Sequence, residues 1–287
     1  MKKKLTLALS AMMLLTGCGN ISHASITPVS REDGSGTRGA FVELFGVQEK
    51  NENGEKMDMT TEMAEITNST AVMLMTVTGN RNAIGYISMG SMNDAVKTLQ
   101  IDGVEATFEN IKNGSYQVAR PFHIATRAEV SPAAQDFISY ILSAEGQKIV
   151  EESGYISQGS RGAYAPSQAK GNVVVSGSSS VAPVMEKIKE AYEAVNHNVT
   201  IEMQQSDSTI GMNSLKEGMC DIGMASRDLK ESELAAGLIP TVIAMDGIAV
   251  VVNHENPLDG LKSEEVKAIY KGDVDEWTEI PLDKEAI

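Results

Sequence analysis

Three times along this chain an apolar run ends in a short loop of glycines and hydroxyls and then turns into a helix. The first is 26–30, followed by Gly34-Ser35-Gly36-Thr37 and helix formers through Phe41 and Leu44. The second is 172–176, followed by Gly177-Ser178-Ser179-Ser180 and a helical run over 180–195, with Val184, Ile188, Ala191 and Val195 on one face. The third is 199–203, followed by Ser206-Asp207-Ser208-Thr209-Ile210-Gly211 and a helix over 209–217. Further alternation follows: a strand at 221–225, a helix at 231–236, a long apolar strand at 241–252 interrupted at Asp246-Gly247, and a helix at 263–270 capped by Ser263. Strands alternating with helices predict an α/β chain with a parallel sheet.

The repeated loop has a chemistry of its own. A helix that starts just after a tight turn leaves unpaired N–H groups and the positive end of its dipole at the turn. Hydroxyls at Ser35 and Thr37 and the guanidinium of Arg31 add donors at the first turn, and a tetrahedral oxyanion suits such a site. Any one of these loops reads equally as simple Ser or Thr capping. In open α/β sheets, however, ligands bind where loops leave the carboxyl ends of strands. Three such loops together with Arg31 favour one shared anion.

Two other readings of the first loop are weaker. Gly34-Ser35-Gly36-Thr37-Arg38-Gly39 is a literal G-x-G-x-x-G, but Arg31-Glu32-Asp33 makes a poor buried strand end for a dinucleotide fold. Ser35 lacks the flanks of a nucleophile elbow, and no pair of carboxylates stands out as a catalytic dyad.

Elsewhere, 49–58 reads as a charged loop. The stretch 69–78 reads as a helix capped by Asn68 or Ser69, with a strand possible from its valines and threonines. The stretch 83–88 is a strand. The runs 96–101 and 104–108 read as two strands of a hairpin turned at Asp102-Gly103. Ser131-Pro132 opens a helix that runs to Gly154, and 157–171 reads as a surface linker.

The first residues concern location. Lys2-Lys3-Lys4, the apolar run 5–15 and Leu15-Thr16-Gly17-Cys18 match a bacterial lipoprotein signal, 1–18, with cleavage before Cys18 and lipid on its sulfur. The apolar run is too short to span a membrane. Cys220 is then left without an intramolecular partner, and no Cys/His spacing suits a metal. The four histidines read as surface or loop residues, and the methionines as core filling. A formal net charge of −15 argues against nucleic acid as a partner. It also means that an anion site must work through local donors rather than long-range attraction.

Four segments carry a family resemblance: Ser30-Arg31-Glu32-Asp33-Gly34-Ser35-Gly36-Thr37-Arg38, Val175-Ser176-Gly177-Ser178-Ser179-Ser180-Val181-Ala182-Pro183, Asp221-Ile222-Gly223-Met224-Ala225-Ser226-Arg227 and Asp246-Gly247-Ile248-Ala249-Val250-Val251-Val252-Asn253. With these the chain resembles the periplasmic or lipid-anchored phosphate-binding proteins of phosphate ABC importers. The segment beginning at Asn172 usually opens such proteins, so the order here looks circularly permuted, with the usual ends joined through 165–171. The resemblance implies a two-lobed periplasmic-binding-protein fold of type II, one lobe over 121–253 and the other split between 26–120 and 257–287. It implies an extracytoplasmic, lipid-anchored solute-binding protein that delivers inorganic phosphate to membrane permease and ATPase subunits, with no catalysis, cofactor or metal.

By the same resemblance, Arg31, Ser35, Gly36 and Thr37 would bind phosphate from one lobe, and Ser179, Ser180 and Ser208 from the other. Asp33 would orient Arg31. Arg227 stands where a common family version has the Asp that accepts the proton of monohydrogen phosphate. Asp207 or Asp246 would take over that role, or Arg227 would simply add a donor. The alternatives are another oxyanion, such as sulfate or molybdate, on the same fold, or a phosphatase-like or nucleotide-dependent protein.

Overall fold

The computed structural model describes residues 25–54 and 56–280. The lipoprotein signal, Cys18, His23 and residues 281–287 lie outside the described residues. In chain order the first half holds β1 (Thr27–Arg31), α1 (Gly36–Leu44), β2 (Gln48–Lys50), β3 (Lys56–Asp58), β4 (Glu65–Thr67), α2 (Thr70–Gly79), β5 (Ala83–Ser88), β6 (Lys97–Thr98), β7 (Gln100–Ile101), α3 (Phe108–Lys112), β8 (Ala119–Thr126), α4 (Pro132–Ile141), α5 (Ala144–Glu152) and β9 (Ile156–Ser157). The second half holds β10 (Gly171–Ser178), α6 (Ala182–Val195), β11 (Val199–Ser206), α7 (Ser208–Lys216), β12 (Ile222–Ala225), α8 (Glu231–Ala235), β13 (Ile239–Val252), β14 (Gly260–Leu261) and α9 (Ser263–Lys271).

The main sheet runs β11-β10-β12-β8-β13-β5-β1-β4. It is mixed rather than purely parallel. The strands of the βα repeats pair in parallel, β10 with β11 and β12, and β1 with β4 and β5. Between these blocks β8 and β13 run antiparallel to each other and to their neighbours. The apolar residues fall into two main cores. One gathers residues of 26–118 with 248–280, around the stacked rings of Phe41 and Tyr86, 3.9 Å between centroids. The other gathers residues of 122–244. The chain crosses between them twice, along β8 and along β13. Ile248–Val252, placed with the second lobe in the expected division, pack in the first core, because β13 pairs with β5 there.

β13 is also one continuous strand. Asp246-Gly247 does not interrupt it, and the register shift falls between Val242 and Ala244. Gly247 serves close packing, since a Cβ there would stand 2.2 Å from Met89 Sδ and 2.3 Å from Ile111 Cδ1. The single helix expected over 131–154 is two. The first ends at Ile141 with Leu142 as its C-cap, and the Ser143 hydroxyl caps the second by accepting from Gly146 N at 3.1 Å. Asp102 and Gly103 do take positive φ, as a tight turn requires. Beyond them, though, only Val104 pairs with Ile101, and Phe108 starts a short helix capped by Thr107. Within the charged stretch, β2 and β3 pair antiparallel, with Lys50 opposite Lys56. Ser69, as one of the two expected caps, accepts from Val72 N at the start of α2. Lys262 rather than Ser263 occupies the N-cap of α9, and Ser263 is bonded to Asp102 instead.

Candidate functional site

The three hydroxyl-bearing loops come together where the two lobes meet. β1 ends at Arg31, whose side chain is almost wholly buried. The chain then turns, with Ser35 N donating to Glu32 O at 2.9 Å, and Ser35 becomes the N-cap of α1, its hydroxyl accepting from Arg38 N at 3.3 Å. That places Gly36 and Thr37 on the first turn of α1, facing the other lobe. Thr37 Oγ1 lies 2.8 Å from Ser180 Oγ, and Arg31 Nη2 donates to Ser179 Oγ at 3.2 Å. Gly36 is pressed so closely on the second lobe that a Cβ there would come within 2.4 Å of Ser208 Oγ and 2.6 Å of Ser226 Oγ. Thr209 N donates to Gly34 O at 3.2 Å, closing the third loop onto the first. Arg31, Gly36, Thr37, Ser179, Ser180 and Ser208 are thus neighbours, although the sequence separates them by up to 177 positions.

The helices α1, α6 and α7 begin here, so N–H groups and the positive ends of three helix dipoles converge on one small volume. With the Arg31 guanidinium and the hydroxyls, the cluster offers many donors in a dry setting. Such an arrangement holds a small anion by direct hydrogen bonds that replace its water.

Several supporting residues stand elsewhere than expected. Asp33 is exposed and accepts from Arg38 Nη1 at 2.7 Å, so it does not orient Arg31. Glu32 does, with Arg31 Nε donating to Oε2 at 2.8 Å and Nη2 to Oε1 at 2.7 Å. The physical reason is the turn geometry: Arg38, one helical turn along α1, also binds Arg31 O and Asp58 and draws Asp33 outward. Arg227 is held in a bidentate pair by Glu233, at 2.9 and 2.8 Å, and donates to Thr209 Oγ1 at 3.3 Å. Asp207 is the N-cap of α7, accepting from Ile210 N at 2.8 Å, and its carboxylate lies under Gly34. Asp246 sits between the lobes, bound to Arg120 and Ser88 rather than to the hydroxyl loops.

Sequence reasoning missed four contributors. Thr70, at the first turn of α2, brings its hydroxyl 3.3 Å from Ser180 Oγ. Ser226 donates its N–H to Ser208 Oγ at 3.1 Å and receives the Ser178 hydroxyl at 2.9 Å. Glu32 is the third, holding Arg31 where its neighbour Asp33 does not. The available signals were a hydroxyl on the first turn of a helix for Thr70 and a hydroxyl just past a strand end for Ser226. Behind the cradle, the Tyr86 hydroxyl accepts from Arg31 N at 3.2 Å and lies 2.8 Å from Ser30 Oγ. Burial pushes its phenol up to about 12, so it stays protonated at neutral pH. His123, read as a surface residue, is buried on β8 with Nδ1 3.2 Å from Arg227 O, and burial lowers its pKa. His197 and His254 are exposed at their side chains' bonds to backbone carbonyls. Among the described residues no group of three or more His, Cys, Asp or Glu could hold a metal.

Comparison with known proteins gives the site its setting. A family model described as a PBP superfamily domain matches residues 18–145 and 162–286. The chain is 52% identical over 282 residues to a protein of Streptococcus agalactiae named Phosphate-binding protein PstS 2, covering 96% of each. It is 41% identical over 292 residues to the Streptococcus pneumoniae protein of the same name, covering 98% of this chain and 100% of that one. It is also similar to the crystal structure of a phosphate ABC transporter, phosphate-binding protein, from Streptococcus pneumoniae, with a TM-score of 0.70 and 42% identity over 90% of this chain and 100% of that one.

Proposed function

The chain belongs to the phosphate-binding proteins of the PBP superfamily, and from that premise we propose that it captures inorganic phosphate between its two lobes and delivers it to an ABC import permease. The observation that carries the reading is the convergence of Arg31 and Thr37 from one lobe on Ser179 and Ser180 from the other. In this reading Arg31, Ser35, Gly36, Thr37, Ser179, Ser180 and Ser208 hold the anion, and Thr70 and Ser226 join them. Glu32 aims the guanidinium. Arg227, tied to Glu233, keeps the Thr209 edge of the cleft in place. No bond is broken; binding alone shuts the lobes, and the shut form docks on the permease and its ATPase.

Titration calorimetry with phosphate, sulfate and molybdate from pH 5 to 8 tests this reading. Phosphate binds most tightly if it holds, and tighter binding of sulfate would reject it. Turnover of a chromogenic phosphate ester, lost in Ser35→Ala, would replace it with an enzyme.

The lipid anchor belongs to the same proposal. Among the described residues no helix is long and apolar enough to cross a membrane, and the lipobox supplies Cys18 as the attachment point. Cells fed labelled palmitate should mark the wild-type protein and leave Cys18→Ser unmarked.

The permuted order is likewise proposed. Support comes from the ends: Ile26 N donates to Asp275 O at 2.7 Å, and Ser25 pairs with Glu276, so a short linker would join them. A chain recut in the 165–171 linker, with residue 280 joined to residue 25, should fold and bind phosphate with unchanged affinity. Failure to fold would count against equivalent connectivity.

A further inference from the structure

The two segments that join the lobes carry a charged pair at the crossing itself. β8 enters the second core at Phe122 and is preceded by Val118 of the first; β13 leaves the second core after Ala244 and joins the first at Ile248. In that interval Arg120 and Asp246 face each other as cross-strand partners. Arg120 Nη2 donates to Asp246 Oδ2 at 3.2 Å, and Ser88 Oγ donates to Asp246 Oδ1 at 2.9 Å. The side chains are 2% and 0% exposed. The Arg120 Nε and Nη1 donors have no hydrogen-bond partner. The guanidinium lies over the Phe122 ring, 5.3 Å from its centroid, and Arg31 repels it from the anion cradle.

This is an incompletely satisfied pair in a dry place. The attraction between two buried charges seldom exceeds what their dehydration costs, and it does so least where donors are left over. In the form described, that cost is borne in full, since both side chains are buried; a parting of the lobes that let water in would hydrate the leftover donors of Arg120 and relieve it.

We propose that Arg120 and Asp246 are positioning residues for anion binding: a buried pair at the crossing that disfavours the shut form and so biases the empty protein toward opening. The proposal rests on the phosphate-capture reading for its purpose, though not for its test. It makes closing depend on the anion, whose bonds to both lobes offset the cost at the crossing. It also gives Asp246 a role distinct from accepting a proton from the ligand.

Protonation gives a second handle. The groups facing Asp246 are Arg120 on β8, Ser88 on β5, the Gly90 N–H and Tyr155 across the crossing, with Arg31 beyond Arg120. Burial pushes the Asp246 carboxyl up to about 6 against the pull of Arg120, Ser88 and Gly90. A carboxyl that holds its proton more tightly in the shut form than in water favours that form as pH falls. The bias toward opening therefore weakens as pH drops through about 6.

Small-angle scattering of the full chain, empty and with inorganic phosphate, tests this with wild type and Arg120→Met/Asp246→Leu. The double substitution replaces the pair with apolar groups of similar size. At pH 7.5 the empty wild type should have a larger radius of gyration than its phosphate-bound form, and the empty double variant should already match the bound one. Phosphate should bind the double variant about tenfold more tightly, because less of the protein starts in the wrong form. Equal radii for the two empty proteins would overturn the proposal. If the double variant does not fold, the empty wild type still decides: its radius should shrink between pH 7.5 and 5, and an unchanged radius would overturn the hinge bias. A wild type that takes up no phosphate at all would instead overturn the capture reading, with the comparison of empty proteins still standing.

Discussion

Thr37 Oγ1 and Ser180 Oγ stand 2.8 Å apart although 143 positions separate them in the chain. The contact joins the first turn of α1 to the loop after β10, and so one lobe to the other. It marks the cleft floor, where α1 meets the Ser-rich loop of the other lobe.

Arg31 and Arg38 both flank the first loop, but only Arg31 reaches the second lobe. Charge-assisted hydrogen bonds contribute about 1.5–3 kcal/mol each. Arg31→Ala should therefore weaken phosphate binding by about tenfold to a hundredfold in titration calorimetry. Arg38→Ala, which loses the exposed Asp33 and the Asp58 contacts, should cost much less. Equal effects would mean that the charged donor is misassigned.

Glu32, not Asp33, grips the Arg31 guanidinium. Glu32→Gln should lower phosphate affinity by about tenfold, since it leaves the buried cation without its counter-charge. Asp33→Asn removes only a surface pair, typically worth about 0–1 kcal/mol, and should bind almost as the wild type does. The reverse ranking in parallel titrations would restore Asp33 as the orienting residue.

Gly36 leaves no room for a side chain between the lobes. Gly36→Ala should fold, because its helix tolerates alanine, yet the methyl group would prop Ser208 and Ser226 away. Overpacking of this kind costs about 1–3 kcal/mol. Phosphate affinity should fall accordingly while the Tm stays within a few degrees of wild type. Unchanged affinity would show that this contact does not form in the bound state.

Asp136 anchors the linker that follows β9. Its carboxylate accepts from the hydroxyls of Tyr164 and Tyr192, each at 2.7 Å, and from Asn196 Nδ2 at 2.9 Å. Burial raises its pKa, but these donors outweigh burial and the net shift is downward. A depressed carboxyl stabilises the fold above its unfolded value, about 3.9, and loses that contribution as pH falls through the folded value. Asp136→Asn should lower stability at pH 7 by about 1–3 kcal/mol in urea unfolding. The gap to wild type should narrow below about pH 4; a constant gap would assign the loss to packing alone.

Much of this was legible along the chain because its causes are local. Apolar runs, glycine turns and Ser caps made β1, α1, β10, α6, β11 and α7 readable, and with them the hydroxyls of Ser35, Thr37, Ser179 and Ser208. The same logic failed at Asp246-Gly247, where turn-like residues lie inside a strand. There the packing of Met89 and Ile111 against Gly247 and the pairing with Arg120 on the neighbouring strand keep the segment extended.

By itself, then, the sequence determined the loops, their caps and the donor types each would offer, since these depend on neighbours a few positions away. Tertiary structure alone decided which carboxylate holds Arg31, that Thr70 and Ser226 join the cradle, and that Arg120 and Asp246 meet at the crossing. Those pairings depend on strand order and register between segments far apart in the chain, where a shift of one residue turns a side chain to the opposite face of its sheet.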